Sequence, residues 1–305
     1  MGLRILIMGS GGTGAYYGGK LALAGHDVTF VARGAHLEAL QTRGLAVTGI
    51  DEFHVPKVRA TQDPAGMEPF DLVVVAVKAY DTEDAAALIR PVVGPETAVL
   101  PIQNGVDTHL RIGAVVGQDR VLGGLCRISA EIEAPGVIRR NSAFSEIIFG
   151  ELDGSLSPRT AAIATALDGA GITTRVSTDI RVDIWRKFAF ITAMSGVTGA
   201  TRLPIGPIRD VPETIDLYRQ IAREVVAVAH AEGVAIEDDL PETLMTQAQR
   251  LAPGLKASLL VDLERGRRTE VETLQGTVVR LGRTHGVPTP VTAVIYALIK
   301  LHQPR

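Results

Sequence analysis

The chain is nearly without cysteine, since Cys126 is the only one among its 305 residues. A single cysteine excludes a disulfide framework and a multi-cysteine zinc site, and it fits a reducing compartment. No pair of histidines has the spacing of metal ligands, so we expect no metal site. No apolar run approaches the ~18 residues of a membrane span, and no basic segment leads into one. We therefore predict a cytoplasmic protein without a membrane partner.

The chain also lacks a large excess of charge of either sign. It has 31 basic and 34 acidic residues, a net charge of −3 and a pI of about 6.2. This balance argues against nucleic acid as a main partner. A hydrophobic content of 46% with 21% charged residues is typical of a soluble globular protein. The length is sufficient for one or two domains with their own cores.

A glycine-rich segment near the N-terminus is the most informative motif. It follows a short apolar run and comprises Gly9, Ser10, Gly11, Gly12, Thr13 and Gly14. A helix-compatible stretch and a second β-rich run, Val28–Val31, come next, which is the order of a dinucleotide-binding βαβ unit. Gly9 permits the turn, Gly11 lets the backbone approach a pyrophosphate, and Gly14 allows close helix–strand packing. The plainer alternative is a tight strand–helix connection that binds nothing.

The residue at the end of the second β-rich run indicates which dinucleotide is bound. NAD-binding units usually place a carboxylate there for the ribose 2′-hydroxyl, whereas this chain has Arg33. A guanidinium suits a 2′-phosphate, so we predict NADP(H) as the cofactor. An ordinary surface arginine is the alternative.

Strand and helix patterns alternate up to about residue 178. Phe70–Val77 and Thr97–Ile102 are nearly continuous apolar runs, as expected for parallel strands covered on both faces. Further strands are predicted at residues 121–128, 136–140 and 145–150, and helices at 82–89 and 157–168. We predict an NADP-binding Rossmann-type domain over residues 1–178, with a doubly wound sheet and an antiparallel addition at its end.

From Asp179 onward, only helical patterns remain. Helices are predicted at residues 179–194, 212–232, from 241, at 255–263, 269–284 and from 290. Thr269 and Glu272 have the spacing of a capping box. We predict an all-helical domain over residues 179–305 that binds substrate and forms a homodimer. An α/β domain followed by a helical domain is expected to leave a ligand-binding cleft at the carboxyl ends of the strands.

Two polar residues follow predicted strands at the edge where a cofactor and a substrate would meet. Lys78 comes after the run that ends at Val77, and Asn104 comes after the run that ends at Ile102. Lys78 could equally be a solvated strand-end lysine, and Asn104-Gly105 could be only a turn.

Lys187 is a candidate proton donor. It lies in a segment that is apolar almost all round and shares a helix face with Ile184 and Ile191, so partial desolvation would bring its pKa toward the working pH. The alternative is an i,i+4 ion pair with Asp183. Glu270 is a further candidate for the site. Its plain alternative is a structural role, since a carboxylate in the first turn of a helix interacts favourably with the helix macrodipole.

A series of short motifs, in order and over nearly the full length of the chain, resembles the ketopantoate reductase (2-dehydropantoate 2-reductase) family. The motifs are Gly9–Gly14, Arg33, Val77-Lys78-Ala79, Gln103-Asn104-Gly105, Trp185-Arg186-Lys187, Ser258 with Asp262, and Thr269-Glu270. The resemblance implies reduction of the 2-oxo group of ketopantoate with NADPH, on the route to pantothenate.

The resemblance also implies roles for individual residues. Lys187 would protonate the forming alkoxide, and Glu270 would contact the cofactor ribose and help to assemble the site. Lys78 and Asn104 would contact cofactor and substrate, and Ser258 would bind the substrate carboxylate.

The chain departs from the family pattern after Lys187. The family usually carries asparagines four and eight residues later, where this chain has Ile191 and Ser195. Isoleucine cannot form a hydrogen bond to a substrate hydroxyl, so discrimination in favour of a hydroxylated substrate would be weakened.

Three hypotheses follow from these residues. The first is an NADPH-dependent reductase of ketopantoate. The second is a paralogue that reduces a more apolar 2-oxo acid, ketone or imine, as Ile191 and Ser195 suggest. The third is an NADP(H)-binding sensor without turnover, against which Lys187 and Glu270 argue because a sensor has no need of a proton donor.

Overall fold

The computed structural model describes residues 2–303 and divides the chain into two compact units. The N-terminal unit contains the chain up to Gln103 and again Asp107–Ile180. The helical unit contains Asn104–Val106 and the chain from Arg181 onward. The sequence predicted a boundary after residue 178, and the two units divide after Ile180. Residue 1 of the first predicted domain and residues 304–305 of the second lie outside the described residues.

The N-terminal unit is an α/β structure. Its strands are β1 (Arg4–Met8), β2 (Asp27–Val31), β3 (Leu45–Gly49), β4 (Phe53–Val55), β5 (Arg59–Thr61), β6 (Leu72–Val75), β7 (Ala98–Pro101), β8 (Gly123–Arg127), β9 (Ala130–Ala134), β10 (Val137–Arg140), β11 (Glu146–Gly150) and β12 (Thr173–Val176). Its helices are α1 (Gly12–Leu23), α2 (Gly34–Arg43), α3 (Thr82–Ile89), α4 (Thr108–Val116) and α5 (Pro158–Gly169), with short 3₁₀ turns at Ala79–Asp81, Arg90–Val92 and Gln118–Arg120.

A parallel five-stranded sheet forms the centre of this unit. Its strand order is β5-β2-β1-β6-β7, so the chain starts in the middle and winds outward in both directions. Alternate residues of β1 enter different apolar clusters, Ile5 and Ile7 on one face and Leu6 and Met8 on the other. Both faces of the sheet are therefore covered, and the predicted doubly wound Rossmann-type sheet is confirmed.

Two smaller sheets complete the unit. One has the order β4-β3-β10-β9 and the other the order β12-β11-β8, and each contains at least one antiparallel pair. The predicted antiparallel addition is thus present. Strands β3, β4, β5, β9 and β12 were not predicted, because they are short or lack an apolar run that stands out along the chain.

The helical unit contains no strand among its described residues. Its helices are α6 (Ile180–Thr201), α7 (Ile205–Arg209), α8 (Pro212–Ala231), α9 (Leu240–Arg250), α10 (Ser258–Glu264), α11 (Thr277–His285) and α12 (Pro290–Lys300), with a π-helical turn at Glu272–Gly276. The predicted all-helical domain is confirmed. Proline at the first or second position of α8, α9 and α12 marks each start, as expected from the lack of a proline N–H.

Helix α6 runs seven residues beyond its predicted end at Met194. Gly196 and Gly199 lie within this extension, and glycine usually weakens a helix. Here their missing side chains allow close packing. A Cβ at Gly199 would come within 2.7 Å of Leu259, and one at Gly196 within 3.0 Å of Ile221. Tertiary packing therefore outweighs the intrinsic preference.

Two other local predictions were wrong. The helix predicted from Leu255 starts at Ser258, because the Leu255 carbonyl accepts a hydrogen bond from the Ile205 amide instead of continuing a helix. The capping box is also absent from the described contacts of Thr269 and Glu272. The Thr269 amide donates to Gln303 Oε1, and the Glu272 carboxylate accepts hydrogen bonds from the Tyr296 hydroxyl.

Candidate functional site

The glycine-rich loop joins β1 to α1, and most of its glycines are required by the fold. Gly9 has a φ of +99°, and a Cβ there would lie 2.6 Å from a Val77 side-chain atom. A Cβ at Gly14 would lie 2.1 Å from the Gly9 carbonyl oxygen, and one at Gly12 only 2.2 Å from the Ala130 carbonyl oxygen. These three glycines are explained by the turn and by close packing within the chain.

Gly11 is different, since a Cβ at this position would have no neighbour within 4 Å and its φ of −72° suits any residue. The protein itself therefore gives no reason for glycine there. Gly11 is the N-cap of α1, whose first turn contains Thr13 and has neither a capping side chain nor an acidic residue. An open backbone beside unpaired helix N–H groups fits a pyrophosphate, so these residues fit the dinucleotide that the motif implies.

Ser10 and Arg33, two further residues predicted to bind the cofactor, both lie near the end of β2. The Ser10 amide and hydroxyl both donate to the Val31 carbonyl, at 3.1 and 2.9 Å, so this side chain ties the loop to β2. Arg33 is exposed and occupies the N-cap of α2, two residues beyond Val31. It therefore lies at the strand end where Rossmann-type proteins contact the 2′-hydroxyl or 2′-phosphate of the dinucleotide ribose.

Sequence reasoning missed His36, which borders this loop from the first turns of α2. Its Nδ1 accepts a hydrogen bond from the Gly136 amide at 3.1 Å, so the ring proton of the neutral form is on Nε2. Burial lowers the pKa of His36, although its contact with the Ser10 backbone opposes this. The sequence gave no signal for His36, because a single histidine in a helix with both apolar and polar residues fits no motif.

Lys78 is half-buried and lies in a segment held by Gln103, a motif residue to which the sequence analysis assigned no role. Gln103 Nε2 donates to the Val77 carbonyl at 3.1 Å and to the Thr82 hydroxyl at 2.9 Å. Thr82 in turn donates to the Ala79 carbonyl at 2.8 Å. The backbone on both sides of Lys78 is thus fixed from the end of β7.

In the helical unit, Asn104 and Glu270 are brought together from distant parts of the chain. Asn104 Nδ2 donates to Glu270 Oε2 at 3.0 Å. The Glu270 side chain is buried, with 5% of the residue exposed. A buried carboxylate needs such a partner, because leaving it unpaired would cost several kcal/mol. The contact joins two residues that the sequence indicated independently.

Lys187 is half-buried on α6, between the buried residues Ile184 and Phe188. Its neighbour Arg186 forms an ion pair with Glu237 and lies 3.5 Å from an Asp183 oxygen. Hydrogen bonds from Arg186 lower the pKa of Glu237. The Arg186–Glu237 ion pair therefore anchors α6 next to Lys187. As predicted, Lys187 lies in a segment of mostly buried apolar residues.

The two residues that depart from the family pattern have different surroundings. Ile191 is half-buried, whereas Ser195 is 2% exposed. The Ser195 hydroxyl donates to the Ile191 carbonyl at 2.6 Å and accepts from Gln275 Nε2 at 3.0 Å. The single proton of the Ser195 hydroxyl is thus engaged, so this side chain has no donor left for a substrate oxygen.

Ser258 is exposed and begins α10, on which Asp262 is 8% exposed one turn later. The structure therefore gathers Asn104 and Glu270 directly, and it places Lys187, Ile191, Ser195 and Ser258 on helices of the same unit. The glycine loop, Arg33 and Lys78 belong to the N-terminal unit.

Among the described residues, no three His, Cys, Asp or Glu side chains group to hold a metal ion. None of the described helices combines the length and apolar character needed to cross a bilayer.

Fold and site together define a nicotinamide-dinucleotide oxidoreductase with a Rossmann-type unit and a helical unit. Residues 5–154 match the family model "Ketopantoate reductase PanE/ApbA", and residues 179–303 match "Ketopantoate reductase PanE/ApbA C terminal". The chain belongs to the ketopantoate reductase family, and the resemblance inferred from its motifs is confirmed.

Relatives match over nearly the whole chain. A 2-dehydropantoate 2-reductase of Archaeoglobus fulgidus is 33% identical over 298 residues, covering 97% of each chain. An uncharacterized oxidoreductase of Bacillus subtilis, YkpB, is 30% identical over 304 residues, covering 99% of each. The crystal structure of 2-dehydropantoate 2-reductase from Geobacter metallireducens is similar with a TM-score of 0.92 at 29% identity, covering 98% of this chain and 99% of that one. Family members and structural neighbours use nicotinamide cofactors.

Proposed function

We propose that the protein reduces the 2-oxo group of ketopantoate to the hydroxyl of pantoate with NADPH, as a step of pantothenate biosynthesis. The observation that carries the proposal is the hydrogen bond between Asn104 and the buried Glu270, in the unit whose helix α6 bears Lys187. A proton donor and a paired carboxylate are what a reductase needs and a pure binding protein does not. Relatives named 2-dehydropantoate 2-reductase support it.

The proposed reaction assigns one task to each side chain. When bound, NADPH would supply the hydride that the carbonyl carbon accepts. The carbonyl electron pair then moves onto oxygen, and the Lys187 ammonium gives that oxygen a proton and is later reprotonated by solvent. Asn104 has a second amide hydrogen besides the one given to Glu270, and we assign it to the reacting region. Ser258, exposed at the start of α10, donates to the substrate carboxylate. A homodimer formed through the helical unit remains part of the proposal.

A second candidate is the reduction of a more apolar 2-oxo acid. It is favoured by Ile191, whose side chain has no polar group, and by Ser195, whose only proton is already donated to the Ile191 carbonyl. A site whose side chains at these two positions offer no hydrogen-bond donor gains less from a substrate hydroxyl and must still desolvate it.

A pair of substrates that differ by one hydroxyl separates the two candidates. Purified protein is assayed for NADPH oxidation with ketopantoate and with 3,3-dimethyl-2-oxobutanoate, alongside 2-oxoisovalerate and phenylglyoxylate. We expect the highest kcat/KM for ketopantoate. A higher value for the analogue that lacks the hydroxyl would favour the second candidate. Tight NADPH binding without turnover of any of these compounds would contradict both and favour the sensor hypothesis.

Arg33→Asp tests the choice of cofactor. The substitution replaces a charge-assisted contact to the 2′-phosphate by repulsion, so we expect the preference for NADPH over NADH, measured as a ratio of kcat/KM values, to fall roughly 10- to 100-fold. Arg43→Asp, at the other end of α2, is the matched control and should keep the wild-type ratio. If Arg33→Asp keeps that ratio as well, the 2′-phosphate contact lies elsewhere.

A further inference from the structure

Gln275 lies in the interior of the helical unit, and none of the roles above uses it. It is fully buried, with 0% of the residue exposed. Its Nε2 donates to the Thr192 carbonyl at 2.9 Å and to the Ser195 hydroxyl at 3.0 Å. A carbonyl can only accept, so the amide nitrogen must face Thr192, and this fixes the orientation of the side chain.

The hydrogen bonds of Gln275 fall on one turn of α6. The Ser195 hydroxyl donates a hydrogen bond to the Ile191 carbonyl at 2.6 Å, so Gln275 and Ser195 together engage the carbonyls of two successive residues, 191 and 192. Residue 191 is four positions after Lys187 and therefore lies on the same face of the helix, one turn away. Gln275 thus holds the turn that follows Lys187, while Arg186 and Glu237 anchor the turn that contains it.

Gln275 is also linked through the backbone to Glu270. The Glu270 carbonyl accepts a hydrogen bond from the Leu274 amide at 2.9 Å, immediately before Gln275. The Gly276 amide then donates to the Val271 carbonyl, which makes the turn π-helical. A π-turn contains one residue more than an α-turn, so it changes the direction in which its side chains point, and such turns are frequent at functional sites.

From this geometry we propose that Gln275 is a positioning residue, which fixes the Lys187–Ile191 stretch of α6 relative to Glu270. The inference rests on the proposed function, because it gives Lys187 and Glu270 their roles in the reduction. An apolar residue of the same size would fill the space without the desolvation of an amide, so packing alone gives no reason for glutamine.

Gln275→Met removes both donors at nearly constant volume. We expect kcat to fall about ten-fold or more, since small displacements of a proton donor have large effects, while the KM for NADPH changes less than about two-fold. Gln247→Met, exposed on α9 of the same unit, is the matched control and should behave as wild type. A folded Gln275→Met protein with wild-type kcat overturns the proposal. So does a rise in the KM for NADPH that matches the loss in kcat, because that is the result of general loosening.

A length exchange gives a second test if Gln275→Met fails to fold. Gln275→Asn shortens the side chain that donates to Ser195 by one methylene, and Ser195→Asn lengthens the side chain that accepts from it. We expect the double variant to recover most of the kcat lost in Gln275→Asn. A double variant that melts at the wild-type temperature but stays as slow as Gln275→Asn contradicts a positioning role.

Hydrogen exchange separates this inference from the proposed function. In Gln275→Met without ligands, the amides of residues 191–196 should exchange faster than in wild type, with the rest of the helical unit unchanged. Wild-type protein that reduces none of the 2-oxo acids refutes the proposed function. Unchanged exchange at residues 191–196 refutes the contact on which the positioning role depends.

Discussion

Lys187→Ala is expected to lower kcat by about 100- to 10,000-fold while leaving NADPH affinity within about two-fold of wild type. The range is what a positioned general acid usually contributes. NADPH affinity should survive because most of the residues proposed to bind NADPH, namely the glycine loop, Arg33 and Lys78, are in the other unit of the chain. Turnover is measured by NADPH oxidation and affinity by titration of NADPH fluorescence.

Lys57→Ala is the control for this experiment, since Lys57 is exposed on the N-terminal unit. It removes the same charge and should leave both quantities unchanged. An undiminished rate in Lys187→Ala would remove Lys187 from its proposed role. A large loss of NADPH affinity in Lys187→Ala would instead indicate that this lysine acts on the cofactor.

Gly11→Val is expected to keep the stability of the protein and to abolish most of its cofactor binding. Nothing within 4 Å would meet the new Cβ, and the backbone conformation suits valine, so the free energy of unfolding should change by no more than about 1 kcal/mol. The side chain would occupy the space where a pyrophosphate approaches. Loss of two charge-assisted hydrogen bonds there corresponds to roughly 100-fold or more in NADPH affinity.

Gly169→Val is a matched control, because Gly169 at the end of α5 is equally open and has no neighbour within 4 Å. Both variants should melt close to the wild-type temperature without ligand. NADPH should raise the melting temperature of Gly169→Val as it does for wild type, and that of Gly11→Val hardly at all. If Gly11→Val retains the full shift, the phosphates do not approach at Gly11.

The sequence predicted the fold well where one physical signal dominates. The apolar runs of β1, β6 and β7 are long because these strands are buried on both faces, and each was found close to its predicted position. The short strands β4 and β5, of three residues each, carry too little pattern to be seen. The prolines that open α8, α9 and α12 marked helix starts correctly because a proline N–H is not needed there.

Local signals failed where long-range partners compete for the same groups. Thr269 and Glu272 have the spacing of a capping box, but Gln303 and Tyr296 take their hydrogen bonds. Gly196 and Gly199 look like the end of a helix, yet α6 continues because neighbouring helices pack against them. Gln275 gave no signal at all, since nothing near it in the sequence indicates that it is buried.

The sequence by itself determined the class of fold, the family and the dinucleotide loop, because these depend on patterns that repeat within a few turns or strands. Only the tertiary structure decided that Gly9, Gly12 and Gly14 are required by close packing within the chain, whereas Gly11 has open space around it. It also decided that Asn104 meets Glu270 across 166 positions, and that Ser195 is engaged by Gln275. These contacts depend on how distant segments pack, and side-chain burial and hydrogen-bond partners are fixed only when that packing is complete.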